Sequence, residues 1–449
     1  MENVENTKNA KTLRIVEYVF VLLFLAAVVA AEIYRIVCWN FTWDESLTYI
    51  HFIKPIFFDQ NPTFGEVIEF FNERTGYWCA MNNHLLNTLS MSAAAKLFFP
   101  VLGYGNEGVL RMPIFGCFCL YVGAVLYMFV KKRINWLGVF LLCGARYMMD
   151  FFALARGYAM AATFVFLACI TIYEWEEKPE KEWRVILAVF WVTLGILAQS
   201  VTLLIAAPIY LWLLIRILQK KIFLHFLKPL RLIVMLLLVV INGAMVAFHF
   251  AVSAADKCLA PSGDTRLKSV LMNMFIGEGY GAYIDYFVVT AMLLVFLIGG
   301  WILFFRKKTS WQSMCFPFII TVYLIPMTVI TNTVRLGLPV ARMLLPAYPV
   351  MILAIYVCIR ELSKNLPKFS VAIAMLCVLA VLDVWRFQPG MSASIEWPCC
   401  QGIKDECYTA FLTGTKVVPP EEDTERSESW AFYRDKIKTR YGYDVIDDQ

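Results

Sequence analysis

The chain has 449 residues, 60% of them hydrophobic and 17% charged, with a mean hydropathy of +0.64. So little polar surface cannot coat a soluble fold of this length, which points to an all-α integral membrane protein. The net charge of +5 is scattered in short clusters between apolar runs and forms no single patch, so no nucleic-acid partner is expected. The 13 cysteines fall mostly inside those runs, as at Cys143 and Cys169, where they act as small hydrophobes. No Cys/His spacing suggests zinc.

A membrane-spanning helix needs roughly 17–25 mostly apolar residues. The first run, 15–37, follows Lys8, Lys11 and Arg14. Its "AVVAAE" resembles a signal-peptide cleavage site, but the run is long and more spans follow, so an uncleaved first helix is expected. Sending that helix outward makes 38–111 a long extracytoplasmic loop. The loop holds "WDESLTYIHF" and the moderately apolar "MNNHLLNTLSMSAAAKLFF", which is expected to lie on or dip into the membrane. Residues 113–130 return to the Lys131-Lys132-Arg133 stop, 134–149 go out, and 157–173 come back to "EWEEKPEKEWR". The pair 185–198 and 201–215 reads as a tight hairpin ending on Lys220-Lys221. Further spans are expected at 232–252, 286–305, 314–330, 343–359 and 369–385. The total is about eleven, with every dense basic cluster cytoplasmic. Residues 1–386 form the membrane domain. Residues 387–449 are polar, carry Trp430, Phe432, Tyr433, Tyr441 and Tyr443, and read as a small soluble extracytoplasmic segment. Whether Cys399, Cys400 and Cys407 form a disulfide stays open.

Under this topology, residues able to do chemistry collect on the outer face. The first loop has Asp44, Glu45, Asn83 and His84, with Arg111 at its end. The second, "GARYMMDFFALARGY", has Arg146, Asp150 and Arg156, and a late one has Arg335 and Arg342. That set suits transfer from a lipid-phosphate donor. Apolar walls hold a polyprenyl chain, and guanidinium groups match a phosphate with forked hydrogen bonds. A phosphate leaves as a stable anion, so one carboxylate acting as base on the acceptor suffices.

The "DE" opening the first loop, "NNHLL", "RMP", "ARYMMDFFALAR" and "ARMLLPAYP" resemble the GT-C glycosyltransferases. That superfamily of polytopic enzymes includes protein O-mannosyltransferases and lipid A aminoarabinose transferases. The resemblance covers roughly the first 160 residues, and the late loop more loosely. It implies an inverting glycosyltransferase moving a single sugar from a polyprenyl-phosphate donor to a lipid, glycan or protein acceptor. The setting implied is the outer face of the membrane; the compact chain and external loops with no N-x-S/T site in a clear glycosylation context beyond "NFT" favour a bacterial plasma membrane. Asp44 resembles the catalytic aspartate, Glu45 its neighbour and Asp150 the acid of the second loop. Arg111 and Arg342 resemble arginines that would hold the donor phosphate. Arg146, Arg156, Arg335, Asn83 and His84 are further candidates for substrate contact. No cofactor is required. A divalent metal is left open, with Asp44, Glu45 and Asp150 its only candidate ligands. The chain departs from the family in having Asn83-His84-Leu85 where relatives have His-Pro or Lys-Pro-Pro. It also has a lone Asp150 in place of paired acids.

Each feature has a plainer reading. Asp44 and Glu45 suit the start of a helix, and Arg111, Arg146 and Arg156 suit snorkelling at helix ends. A transporter or flippase of lipid-linked sugars is the alternative function. Such proteins place ionisable groups near mid-membrane and carry internal repeats, and neither is evident here.

Overall fold

A computed structural model describes residues 2–39, 41–54, 84–144, 146–222, 226, 228–256, 295–333, 341–365, 398–416 and 427–445. Among these, all regular structure is helical. Asn83, Arg335, the expected span at 369–385 and most of the expected loop at 253–285 lie outside the described residues.

Helix α1 (Glu2–Cys38) carries the first apolar run. Its side chains from Leu13 to Leu23 are largely exposed, the state of a helix facing lipid. The short α2 (Trp43–Thr48) continues into a π-helical turn, Tyr49–Ile53. Next come α3 (Leu85–Leu102), α4 (Glu107–Val130), α5 (Trp136–Cys143), α6 (Arg146–Asp150) and α7 (Gly157–Glu177). Helices α8 (Trp183–Ala198) and α9 (Leu203–Gln219) form the expected hairpin, turned by a 3₁₀ segment, Ser200–Thr202. After α10 (Pro229–Asp256), the chain gives α11 (Val295–Phe305), α12 (Trp311–Thr333), a 3₁₀ turn at Ala341–Ala347, and α13 (Tyr348–Asn365). The tail supplies α14 (Pro398–Thr413) and α15 (Ser427–Tyr441).

Seven of the described helices are long and apolar enough to cross a membrane, and three shorter apolar helices accompany them. This is the pattern of a multi-pass membrane protein. Helices α4, α7 and α9 end, and α8 and α10 begin, at one end of the bundle, which gathers the basic clusters there. There Arg133 bonds Glu174 and Glu177, Arg184 bonds Glu174, and Arg216 holds Glu176 with two 2.7 Å hydrogen bonds. Arg231 pairs with Glu182 at the same end. We call it the basic end.

One element departs from the sequence reading. The expected span 134–149 is broken. Asn135 caps α5 by accepting from Gly138 N, but the helix stops at Cys143 after eight residues. It spans only ~12 Å at 1.5 Å per residue. From Met148 to Arg156 the chain is buried with little helix. Irregular backbone at such depth is stable only where protein groups take its hydrogen bonds. Here they do: Asn87 donates to Ala155 O (2.9 Å) and Glu45 accepts from Ala155 N (2.7 Å).

Helix α3 meets the length and hydropathy of a span, yet both its termini lie at the end opposite the basic clusters. His84, at its start, bonds Gln199 at the end of α8. Gly103, at its close, abuts Arg440 of the tail. Both ends of the helix therefore belong to this end of the bundle.

Candidate functional site

The end opposite the basic clusters is built around one carboxylate. Thr42 caps α2 in a capping box: its Oγ1 receives Glu45 N, while Glu45 Oε2 receives Thr42 N at 2.8 Å. This arrangement turns the Glu45 side chain back toward the bundle, where it meets Arg111 of α4. Arg111 donates from Nε to Oε1 (2.8 Å) and from Nη2 to Oε2 (2.7 Å), a forked pair. Its Nη1 donates to the carbonyls of Trp39 (2.8 Å) and Ile36 (3.3 Å) at the end of α1. The ring of Phe41 lies 5.6 Å from the guanidinium carbon. Both side chains of the pair are fully buried. Together with Ala155 N on Glu45 Oε1, this network joins α1, α2, α4 and the irregular run before α7 at one point.

A second buried group sits beside it. Arg35 donates to Glu32 Oε1 (2.5 Å) and stands 3.4 Å from Asp150 Oδ1. Glu32 and Asp150 are fully buried. Glu32 was not singled out by the sequence, although its i, i+3 spacing with Arg35 on the last turns of α1 is a readable signal of a pair.

The third group is at the start of α7. His84 Nδ1 lies 3.1 Å from Gln199 Oε1, and its ring meets Tyr158 edge-on at 4.8 Å. Arg156 is 1% exposed, with its guanidinium carbon 5.6 Å from the Tyr158 ring. A Cβ at Gly157 would come within 2.0 Å of Ala198 O and 2.8 Å of His84 Cβ, so only glycine lets α7, α8 and His84 meet so closely.

The 3₁₀ turn carrying Arg342 packs on α7 and on the Ser200–Thr202 turn, which brings it to this same end. Asp44 stands in the first turn of α2, next to Glu45, and Arg146 begins α6. The elements bearing Asp44, Glu45, His84, Arg111, Asp150, Arg156 and Arg342 thus converge at this end.

Two roles drawn from the sequence do not match the surroundings found. Glu45 is saturated by Arg111, Thr42 and Ala155, and Arg111 is held by Glu45 and two carbonyls. Neither group is placed to take a substrate atom; each orients the other. Nor does a divalent ion fit at Glu45, where a guanidinium already occupies both oxygens and would repel a cation. Asp150 likewise faces Arg35. Among the described residues no three His, Cys, Asp or Glu side chains gather at metal-binding spacing.

The tail is part of this end. A second apolar core unites Phe41, Tyr49 and Ile53 with Met91, Phe99 and Leu110, and with Ile403, Trp430, Phe432, Tyr433 and Ile437 of the tail. Phe432 stacks on Phe41 at 4.5 Å, and Tyr433 Oη accepts from Phe41 N at 3.0 Å. Lys54 pairs with Asp435 (2.6 Å), and Lys436 with Glu107 (2.5 Å). Burial lowers the Lys436 ammonium below the usual lysine value, only partly offset by Glu107. Burial raises the Tyr408 hydroxyl to about 12. Helices α14 and α15 therefore clasp the 41–54 segment.

Fold and site together define a helical multi-pass membrane protein with a buried acid–arginine network at one end. No family model, curated protein or solved structure matches the chain.

Proposed function

We propose that this chain is an inverting glycosyltransferase that moves one sugar from a polyprenyl-phosphate donor to an acceptor at the extracytoplasmic face of a plasma membrane. About eleven spans complete its membrane domain. The observation that carries this reading is the gathering of acids and arginines at the end away from the basic clusters. Positive loops face the cytoplasm, so that end faces outward. A donor chain lies in lipid along the helices while its sugar phosphate reaches the buried network from the side. The acceptor arrives from water above.

In this mechanism Asp44 removes the proton from the acceptor hydroxyl or amine as that group attacks the anomeric carbon. The bond from that carbon to the phosphate oxygen breaks, polyprenyl phosphate leaves with the electron pair, and the configuration inverts. Asp44 is held in place by the neighbouring Glu45, whose carboxylate is pinned to Arg111. Arg156 and Arg342 take the phosphate, where their charge stabilises the leaving group in the transition state. His84, fixed by Gln199 and Tyr158, orients the sugar. Asp150 and Arg35 border the acceptor side. The step needs no metal.

The test is release of polyprenyl phosphate from a panel of polyprenyl-phosphate sugars by the purified protein with membrane extract as acceptor, with the product anomer assigned by NMR. Release with inversion supports the reading. Binding of a donor without turnover, together with its movement across sealed vesicles, would replace it with a flippase.

A further inference from the structure

The basic end holds a cavity of about 230 Å³ that the proposed chemistry does not use. It opens between the start of α1, the Lys131–Asn135 turn and the end of α13. Four cations line it, Arg14, Lys132, Arg133 and Arg360, against one acid, Glu17. Two of the four are engaged. Arg133 bonds Glu174 and Glu177, and Arg360 lies against Glu361. Glu17 is engaged too, its carboxylate accepting from Trp136 N at 3.0 Å. The side chains of Arg14 and Lys132 make no hydrogen bond or ion pair with any described residue. Lys132 sits at φ +55, left-handed backbone adopted by few non-glycine residues, on the tight turn that closes α4.

We infer that this cavity binds the headgroup of an anionic phospholipid from the leaflet at the basic end. Two unengaged cations at the mouth of an open, partly apolar cavity complement a phosphodiester. A neutral headgroup would leave both without a counter-ion. The wall beside the cavity is the exposed apolar face of α1, including Ile15, Val16 and Val19, which suits acyl chains running into the bilayer. A free phosphate would use the cations but leave that face unexplained.

The experiment reconstitutes the full chain in nanodiscs of mixed phosphatidylcholine and phosphatidylglycerol and counts retained lipids by native mass spectrometry. Two variants are compared with the parent: Arg14→Gln/Lys132→Gln, and the control Lys220→Gln/Lys221→Gln, which removes equal charge from the same end. Each juxtamembrane cation adds about 1 kcal/mol to anionic lipid binding, so the first variant should lose selective phosphatidylglycerol retention by about 30-fold. The control should keep it. Equal losses in both variants would reduce the effect to general charge attraction and overturn the site. So would displacement of phosphatidylglycerol by inorganic phosphate at buffer concentration. Both altered side chains in the first variant are exposed, and a circular dichroism melt matching the parent separates lost binding from lost fold.

Discussion

Replacing Arg111 with methionine probes the network at its centre. The change removes two hydrogen bonds from Glu45 and the donors to the carbonyls of Trp39 and Ile36. Glu45 keeps Thr42 and Ala155 but loses its counter-charge while fully buried. Breaking a buried pair from one side costs about 3–5 kcal/mol, most of it the uncompensated charge left behind. Glu45→Gln should cost a similar amount, because it leaves Arg111 charged and unpaired. The double variant removes both charges, and glutamine can still accept from one of the two backbone N–H groups. It should therefore be about 3 kcal/mol more stable than the sum of the single effects. Graded SDS unfolding in mixed micelles, followed by far-UV circular dichroism, gives all three values. An Arg111→Met protein within about 0.5 kcal/mol of the parent would refute the buried pair, as would additivity in the double variant.

Other consequences are independent of that network. Gly157→Ala must move α7 away from Ala198 and His84, costing about 1–3 kcal/mol or more and displacing the His84–Gln199 bond; thermal unfolding and the histidine NMR shift report it. Tyr433→Phe leaves Phe41 N without its acceptor and should cost about 1–3 kcal/mol, read as faster proteolysis within 41–54. Cys407 is buried with its thiol raised to about 12, so at pH 8 it should resist maleimide while the exposed Cys38 reacts; equal labelling would mean that the clasp is open. Because folding lowers the Lys436 ammonium, the unfolded chain binds more protons there as pH rises from the folded value toward the free one. Stability relative to Lys436→Met should increase over that window, measured by unfolding across alkaline pH; a decrease would contradict the burial of Lys436.

Much of the fold could be read from the sequence because lipid and loop charge impose strong, separable signals. The first run, the 113–130 and 157–173 spans and the 185–215 hairpin all fall on helices, and the basic residues that punctuate them appear at the basic end. The break after Cys143 could not be read that way. "VFLLCGARYMMDFFALAR" is mostly apolar, with charges only at Arg146, Asp150 and Arg156, and hydropathy cannot distinguish a continuous helix from one that unwinds inside the protein. What permits the unwinding is remote: Asn87 and Glu45 supply the hydrogen bonds that Ala155 would otherwise lack. The candidate site was legible in its members but not in their pairing. Glu45 and Arg111 are 66 residues apart, and nothing local says that they neutralise each other. The packing of the tail was not legible in its polarity. Trp430, Phe432 and Tyr433 were visible as aromatics, but their partners Phe41 and Tyr49 lie nearly 400 residues away in the chain.

The central claim is that Asp44 serves as base in sugar transfer from a polyprenyl-phosphate donor. Its most direct test is single-turnover transfer by the purified protein and its Asp44→Asn variant, with donor binding measured in parallel. The account predicts that the variant binds donor as the parent does but transfers at least about a hundredfold more slowly, the usual contribution of a positioned general base. Equal transfer by the two proteins, or no donor binding by either, would contradict it.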